Sequence, residues 1–234
     1  MAKETVEQRL KKVEEKLASV ERENGRLRGY IDIRNLISRM QYLHGAGRDS
    51  EITPLFAKRA DTRLYFGEMG YWEGADAPVK AAGSMPPGMN RKGRMGMHFM
   101  LQPFIIVSGD GQTAQAVFWA AGLMAGKDPK TGEPTASWEW NRYGDDFIKE
   151  DGEWKLWHHH VFPLFRIGYD QKWPDQFKKT EMPVMPAAPG QPAMQLPKPD
   201  HPPTPKDVFY SPDEELPDIP LPQFYQTFDP KQMY

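Results

Sequence analysis

Cysteine is absent from all 234 residues. Disulfides, thiolate metal sites and a cysteine nucleophile are therefore excluded, and a reducing compartment fits the composition. Long apolar runs are missing too. Met1 to Lys16 is dense in Lys and Glu and offers no stretch suited to a signal peptide or a membrane span, so the expected location is the cytoplasm, without membrane attachment. Charge of one sign is equally scarce: the formal net charge is -2, which gives no broad positive field for nucleic acid. No glycine-rich phosphate cradle follows a strand signal, and no Gly-x-Ser-x-Gly elbow occurs. Nucleotide cofactors and serine hydrolysis thus lose their usual signatures, and no cofactor is expected.

What is present divides into three zones. Hydrophobic residues at 39% and charged residues at 26% are ordinary for a globular chain, with room for one domain plus extensions. In residues 1–29, Val6, Leu10, Val13, Leu17, Val20, Asn24 and Leu27 recur in alternating steps of four and three, with Glu, Lys and Arg between them. That is a coiled-coil seam, or else a single amphipathic helix lying on its own domain. Asn24 in such a seam selects register and strand number at some cost in stability.

Residues 30–181 read as a compact α+β domain. Ile33, Leu36, Ile37 and Met40 have helical spacing, and Ile52, Leu55 and Phe56 indicate a second short helix. Strands are predicted at Arg63 to Phe66, Phe104 to Val107, Thr113 to Leu123, Ser137 to Ile148 and Glu153 to Ile167. Asp151-Gly152 is a strong hairpin turn, and Ser108-Gly109-Asp110-Gly111 is another. Helices followed by an antiparallel meander form the α+β order, with the helices on one face of a bent sheet. Ala75 to Met97, rich in Gly, Met, Pro and Ala, reads as an irregular loop or a lid.

Residues 182–234 hold 14 of the 23 prolines, which block both helix and central strand. The segment nevertheless carries Phe209, Tyr210, Leu216, Ile219, Leu221, Phe224, Tyr225, Phe228 and Tyr234, too many apolar side chains for a solvated tail. It is expected to wrap its own domain or a neighbouring subunit.

Candidate chemistry rests on histidine. His98 leads into a strand and is the leading base; an imidazole in an apolar pocket can take and return a proton near neutral pH. His44 shares the helical face of Ile33, Leu36, Ile37 and Met40 and so points inward. Of His158, His159 and His160, alternation sends the first and third to one face and the second to the other. Each of these histidines could instead be a hydrogen-bonded structural residue. A zinc or iron site of two or three histidines with Asp145 or Asp146 is the other sharp reading; with no helical His-x-x-x-His pair behind it, no metal is expected. Tyr42, Tyr65, Tyr71 and Tyr143 offer phenols, while Trp72, Trp119, Trp138, Trp140 and Trp157 offer wide rings on which a flat ligand could stack.

The stretch from about Tyr30 to Trp173 resembles the SnoaL-like branch of the nuclear-transport-factor superfamily. The pieces that carry the likeness are Ile33-x-x-Leu36, Leu55-Phe56-Ala57, Gly70-x-x-x-Gly74, His98 five residues before Pro103, Asp110-x-x-x-Ala114, and Tyr143-x-Asp145-x-Phe147 before Gly152-x-Trp154-Lys155-Leu156. The resemblance implies a cone-shaped α+β barrel of a strongly bent antiparallel sheet. Dehydratases of that branch use a Tyr and an Asp on the first helix with a histidine in the sheet. By position the histidine is His98 and the tyrosine is Met40 or, with a shift, Tyr42, while the Asp falls near Gly45, where neighbouring His44 is the candidate substitute.

The leading helix and the proline-aromatic tail are similar to those of lyases that act on lignin-derived diarylpropanes. This implies cofactor-independent loss of a benzylic hydroxyl and release of formaldehyde to give a stilbene, with His98, Tyr42 and His44 catalytic and Tyr143, His158, His160 and Trp72 touching the substrate. The alternatives are a dehydratase or isomerase of a polycyclic, steroid-like or polyketide substrate, and a non-catalytic binder of an aromatic ligand. Family and coil together imply a homo-oligomer, a trimer in preference to a dimer.

Overall fold

The computed structural model describes residues 4–82, 95–128, 131–172, 174 and 198–234. A single helix, α1 (Val6–Gly45), carries both the heptad seam and the apolar stripe expected of a separate helix, so the boundary drawn at residue 29 falls inside a continuous element. Its start is fixed by a capping box. The Thr5 hydroxyl accepts from the Gln8 N–H (3.2 Å) and the Gln8 side chain accepts from the Thr5 N–H (3.0 Å). Its end is a Schellman turn, in which Gly47 takes a φ of 65° while the N–H groups of Gly47 and Arg48 donate to the carbonyls of His44 and Leu43.

Two short 3-10 turns, Asp49–Glu51 and Thr53–Leu55, replace the expected second helix. Then come β1 (Arg63–Phe66), β2 (Tyr71–Glu73), a short α2 (Ala77–Ala82), β3 (Met95–Val107), β4 (Thr113–Lys127), β5 (Pro134–Glu150) and β6 (Glu153–Gly168). The predicted strands are all present and most run longer. β2 has no counterpart among them, and α2 occupies the start of the segment read as a loop or lid; the rest of that segment, up to residue 94, lies outside the described residues.

The sheet order is β2-β1-β6-β5-β4-β3, curved and unclosed. It is antiparallel except where β1 runs parallel to β6, so the barrel expected from the meander is an open cone. The inner half of α1 packs into the concave face through Ile33, Ile37, Met40 and Leu43, against Phe56, Leu64, Phe118 and Phe147. Small residues make this possible. On β4 the concave positions Ala114, Ala116, Ala120 and Gly122 leave space above the middle of the sheet, which a row of large side chains would fill.

Three bulge-like register shifts change which parity faces inward: between Leu101 and Phe104 on β3, at Leu164 on β6 and at Trp157 on β6. Gln102, in the first of them, has a φ of 50°.

The tail of residues 198–234 lies on the chain's own sheet. His201 pairs with Tyr71, the Tyr210 N–H donates to Leu164, Gly109 and Asp110 donate to Tyr225 and Gln226, and the Tyr234 N–H donates to Asp146. The tail's boundary near residue 181 is outside the described residues. Its most buried polar anchor is Asp207, which accepts from His160 Nε2 (2.6 Å) and from the Thr204 N–H (2.6 Å). Burial lowers the His160 pKa, so the ring is neutral and donates as a single N–H.

Replacing Asp207 by Ala strips the buried His160 N–H and the part-buried Thr204 N–H of their acceptor and is expected to cost about 1–3 kcal/mol. Urea denaturation reads that loss, and amide exchange across residues 201–210 should quicken with it; an unchanged midpoint means the tail is held elsewhere.

Candidate functional site

Between α1, α2 and the concave face of β3 to β6 lies a hollow of about 120 Å³. Met40, Ile52, Phe56, Leu64, Phe66 and Ala81 supply an apolar wall. The polar wall includes His44, Asp49, His98, Glu139, Tyr143, His159 and Arg166, with Glu68 and Asn141 beside them.

Strand register explains how these side chains meet. His98 on β3 pairs with Gly122 on β4, Gly122 with Glu139 on β5, and Glu139 with Arg166 on β6, which makes one transverse row across four strands. Alternate strands stand about 9.6 Å apart. His98 and Glu139 bridge that gap by leaning toward each other over the glycine, and His98 Nε2 hydrogen-bonds Glu139 Oε1. From the other side Arg166 Nε donates to Glu139 Oε2 (2.7 Å), and Arg166 lies 3.8 Å from Glu68. Burial alone would push the Glu139 carboxyl up. The hydrogen bond from His98 and the charge of Arg166 outweigh it and hold the group well below the usual carboxylate range. Glu139 is therefore an anion at neutral pH, and Nε2 of His98 carries the proton it accepts.

A second dyad stands beside the first. At the end of α1, His44 Nδ1 bonds Asp49 Oδ1 (2.6 Å), and the His44 and His98 rings lie 5.2 Å apart. A third, His159 Nδ1 with Asp145 Oδ1 (2.9 Å), lies deeper, where the His159 ring tilts against Tyr143 at 5.1 Å. Burial raises both the Asp145 carboxyl and the Tyr143 phenol, which stays a neutral hydroxyl. Burial also raises Glu68.

Of the predicted residues, His98, His44 and Tyr143 line the hollow. Tyr42 does not enter it. About 200° round the helix from Met40, its side chain is 74% exposed and borders an outer groove. Trp72 is wholly buried in the core, edge-on to Phe66, and does not line the hollow. His158 and His160 point to the opposite, tail-covered face, and His159 faces inward instead. The Trp157 bulge is the cause: Leu156 and His159 share the concave side although their numbers differ in parity. Asp145 and Asp146 are the cross-strand partners of His159 and His158, and His158 Nδ1 bonds Asp146 at 2.9 Å. Among the described residues, no group of three His, Asp or Glu side chains is arranged to hold a metal ion.

Glu139, Arg166, Asp49 and His159 are the site residues that pattern reading missed. Glu139 stands between Trp138 and Trp140, where alternation marks it as the solvated member; instead Trp138 is 40% exposed on the convex face and the carboxylate is inside.

An open α+β cone with a helix-covered hollow and paired imidazoles defines a class of small-molecule pocket proteins. The chain belongs to the SnoaL-like domain family, whose profile matches residues 25–160. No curated protein matches it. Among solved structures it is similar to a scytalone dehydratase-like protein of Novosphingobium aromaticivorans, with 18% identity, coverage of 71% of this chain and 96% of that one, and a TM-score of 0.51. It is also similar to a hexachlorocyclohexane dehydrochlorinase, LinA type 3, of Novosphingobium barchaimii, with 12% identity, coverage of 64% and 96%, and a TM-score of 0.50. At such identities the likeness is one of fold. No helix among the described residues is long and apolar enough to cross a membrane.

The transverse row can be tested at its glycine and at its carboxylate. A methyl group at position 122 would collide with Glu139 Cγ, so Gly122→Ala should separate His98 from its carboxylate and cost about 1–3 kcal/mol, as read by denaturation. Because the folded Glu139 pKa lies below its unfolded value, the group stabilises the fold fully above about pH 4.3, and that stability is lost as pH falls toward the folded pKa. Glu139→Gln should lower stability at pH 7 and flatten that acid limb; a parallel downward shift at every pH would assign the carboxylate no such role.

Proposed function

We propose that the protein is an acid–base lyase or dehydratase acting on an aromatic alcohol, with His98 as the proton acceptor. The observation that carries this reading is the pair of carboxylate-tied imidazoles, rings 5.2 Å apart, on the polar wall of a hollow whose other wall is apolar. Such a pair can hold one ring neutral as base and the other protonated as acid, while the surrounding apolar walls strengthen both charge interactions. Both structural neighbours bear names that describe elimination, of water in one case and of hydrogen chloride in the other. That agrees with one group removing a proton and another assisting a leaving group.

The substrate we favour is a phenolic diarylpropanediol. An outer groove of about 570 Å³, lined by Met97, Phe99, Met100 and Leu101, shares Gln41 and His98 with the hollow. A molecule with one ring in each space would present its three-carbon bridge at His98. The para-phenol gives up its proton to solvent, His44 gives a proton to the departing benzylic hydroxyl, water leaves and a quinone methide forms. Next, His98 takes the proton of the primary hydroxyl. The bond between the hydroxymethyl carbon and its neighbour breaks, formaldehyde leaves, and the electron pair runs through the new stilbene double bond to the ring oxygen, which takes back a proton from solvent. One diol yields one stilbene, one formaldehyde and one water. The substrate provides its own electron sink, so the protein has to supply only an acid, a base and exclusion of water.

With such a diol, stilbene absorbance and formaldehyde should appear together, and His98→Ala should lower kcat by about 10²- to 10⁴-fold. Undiminished turnover in that variant removes His98 from the chemistry. Tight binding of phenolic dimers by the parent protein without any turnover favours a ligand-binding role over catalysis.

A further inference from the structure

Among the described residues, nothing packs on the apolar seam of the outer part of α1; the tail meets this part of the helix where Arg26 lies over the Phe224 ring at 5.4 Å. The residues that dock α1 are Gly29, packed against Trp154, and then Ile33, Ile37 and Met40. At about 100° per residue, the seam Val6, Leu10, Val13, Leu17, Val20, Asn24, Leu27 lies on the opposite side of the helix, about 180° away. Ile31 extends it by one further step of four. The apolar members of this row are between 43% and 80% exposed. A single helix lying on its own domain would bury this stripe; here the domain takes the other face.

The charges flanking the seam identify what covers it. Leu10, Leu17, Asn24 and Ile31 occupy a positions and Val6, Val13, Val20 and Leu27 occupy d positions of a heptad. The g positions are then Arg9, Lys16 and Glu23, and the e positions five residues further on are Glu14, Glu21 and Arg28. In a parallel, in-register assembly each g residue meets the e residue of the neighbouring chain, giving Arg9 with Glu14, Lys16 with Glu21 and Glu23 with Arg28. All three pairs are attractive. An antiparallel arrangement with the seams fully overlapped instead sets Glu14 against Glu21, and it removes Asn24 from opposite its equivalent. Leucine at a with a β-branched residue at most d positions favours more than two strands.

We propose that residues 6–31 are a self-association element that joins three copies of this chain in a parallel, in-register coiled coil. This goes beyond the catalytic reading and does not depend on it.

Light scattering on the full chain should give the mass of three subunits; a monomeric or dimeric mass overturns the proposal. Glu14→Lys with Glu21→Lys sets like charges across every interface and should raise the half-assembly concentration at least about tenfold. Adding Arg9→Glu and Lys16→Glu to the same chain should restore it, which an antiparallel pairing cannot do, since positions 14 and 21 would again face each other with like charge. The absence of native cysteine allows an independent measurement. Under oxidised glutathione, Asn24→Cys should give a covalent pair of chains on a denaturing gel, whereas Glu15→Cys, at the outward f position, should not. Equal linking at both positions, or a half-assembly concentration indifferent to the charge changes, overturns the proposal. These positions are exposed and remote from the hollow, so turnover by the variants reports on the catalytic reading separately.

Discussion

The site depends on one buried carboxylate held between two cationic or proton-donating partners. Glu139 is almost fully enclosed, and an enclosed anion without compensation would protonate or draw in water. His98 and Arg166 provide that compensation from strands on either side, so the same contact that keeps Glu139 ionised also fixes the tautomer and orientation of His98. The arrangement needs a missing side chain as much as the present ones. Gly122 lies between His98 and Glu139 in the row, and only its bare backbone lets two side chains from alternate strands meet above it. Small residues along β4 extend the same logic, since they keep the middle of a concave sheet from filling.

β6 serves two faces with one run of histidines. His159 belongs to the hollow through Asp145, whereas His158 and His160 belong to the tail-covered side through Asp146 and Asp207. Three neighbouring imidazoles of identical chemistry thus differ in role because each has a different carboxylate, and because the chain reverses faces at each step. The outer pair stacks among aromatic rings, with Tyr65 and Phe162 on either side of His160 and Trp157 beside His158. α1 repeats the theme at a larger scale: its inner half closes the hollow and ends in His44, while the opposite face of its outer half points away from the domain.

Much of the architecture was legible in the residues. Alternation and turn chemistry located β1 and β3 to β6, the Asp151-Gly152 hairpin appears where its dipeptide stands, with Asp151 and Gly152 both at positive φ, and the aromatic residues of the tail foretold that it would be anchored. His44, His98 and Tyr143 were placed inside from helical periodicity and position. β2 and α2 were missed because each is too short for periodicity to register, and both exist by packing against longer neighbours.

What the linear chain determined by itself is local: helix from capping and spacing, strand from alternation, a seam from heptads and their flanking charges, and the absence of thiol chemistry. What only the tertiary structure decided is which side chains share a space. Bulges at Trp157 and Leu164 shift the period of two along β6, so counting residues sends His158 inward and hides Arg166. The alternation of Glu139 with tryptophans reads as a solvated position until the curvature of the sheet turns that face into the hollow's wall. Periodicity is a property of one strand, whereas enclosure is a property of several strands and a helix together, and no single segment carries it.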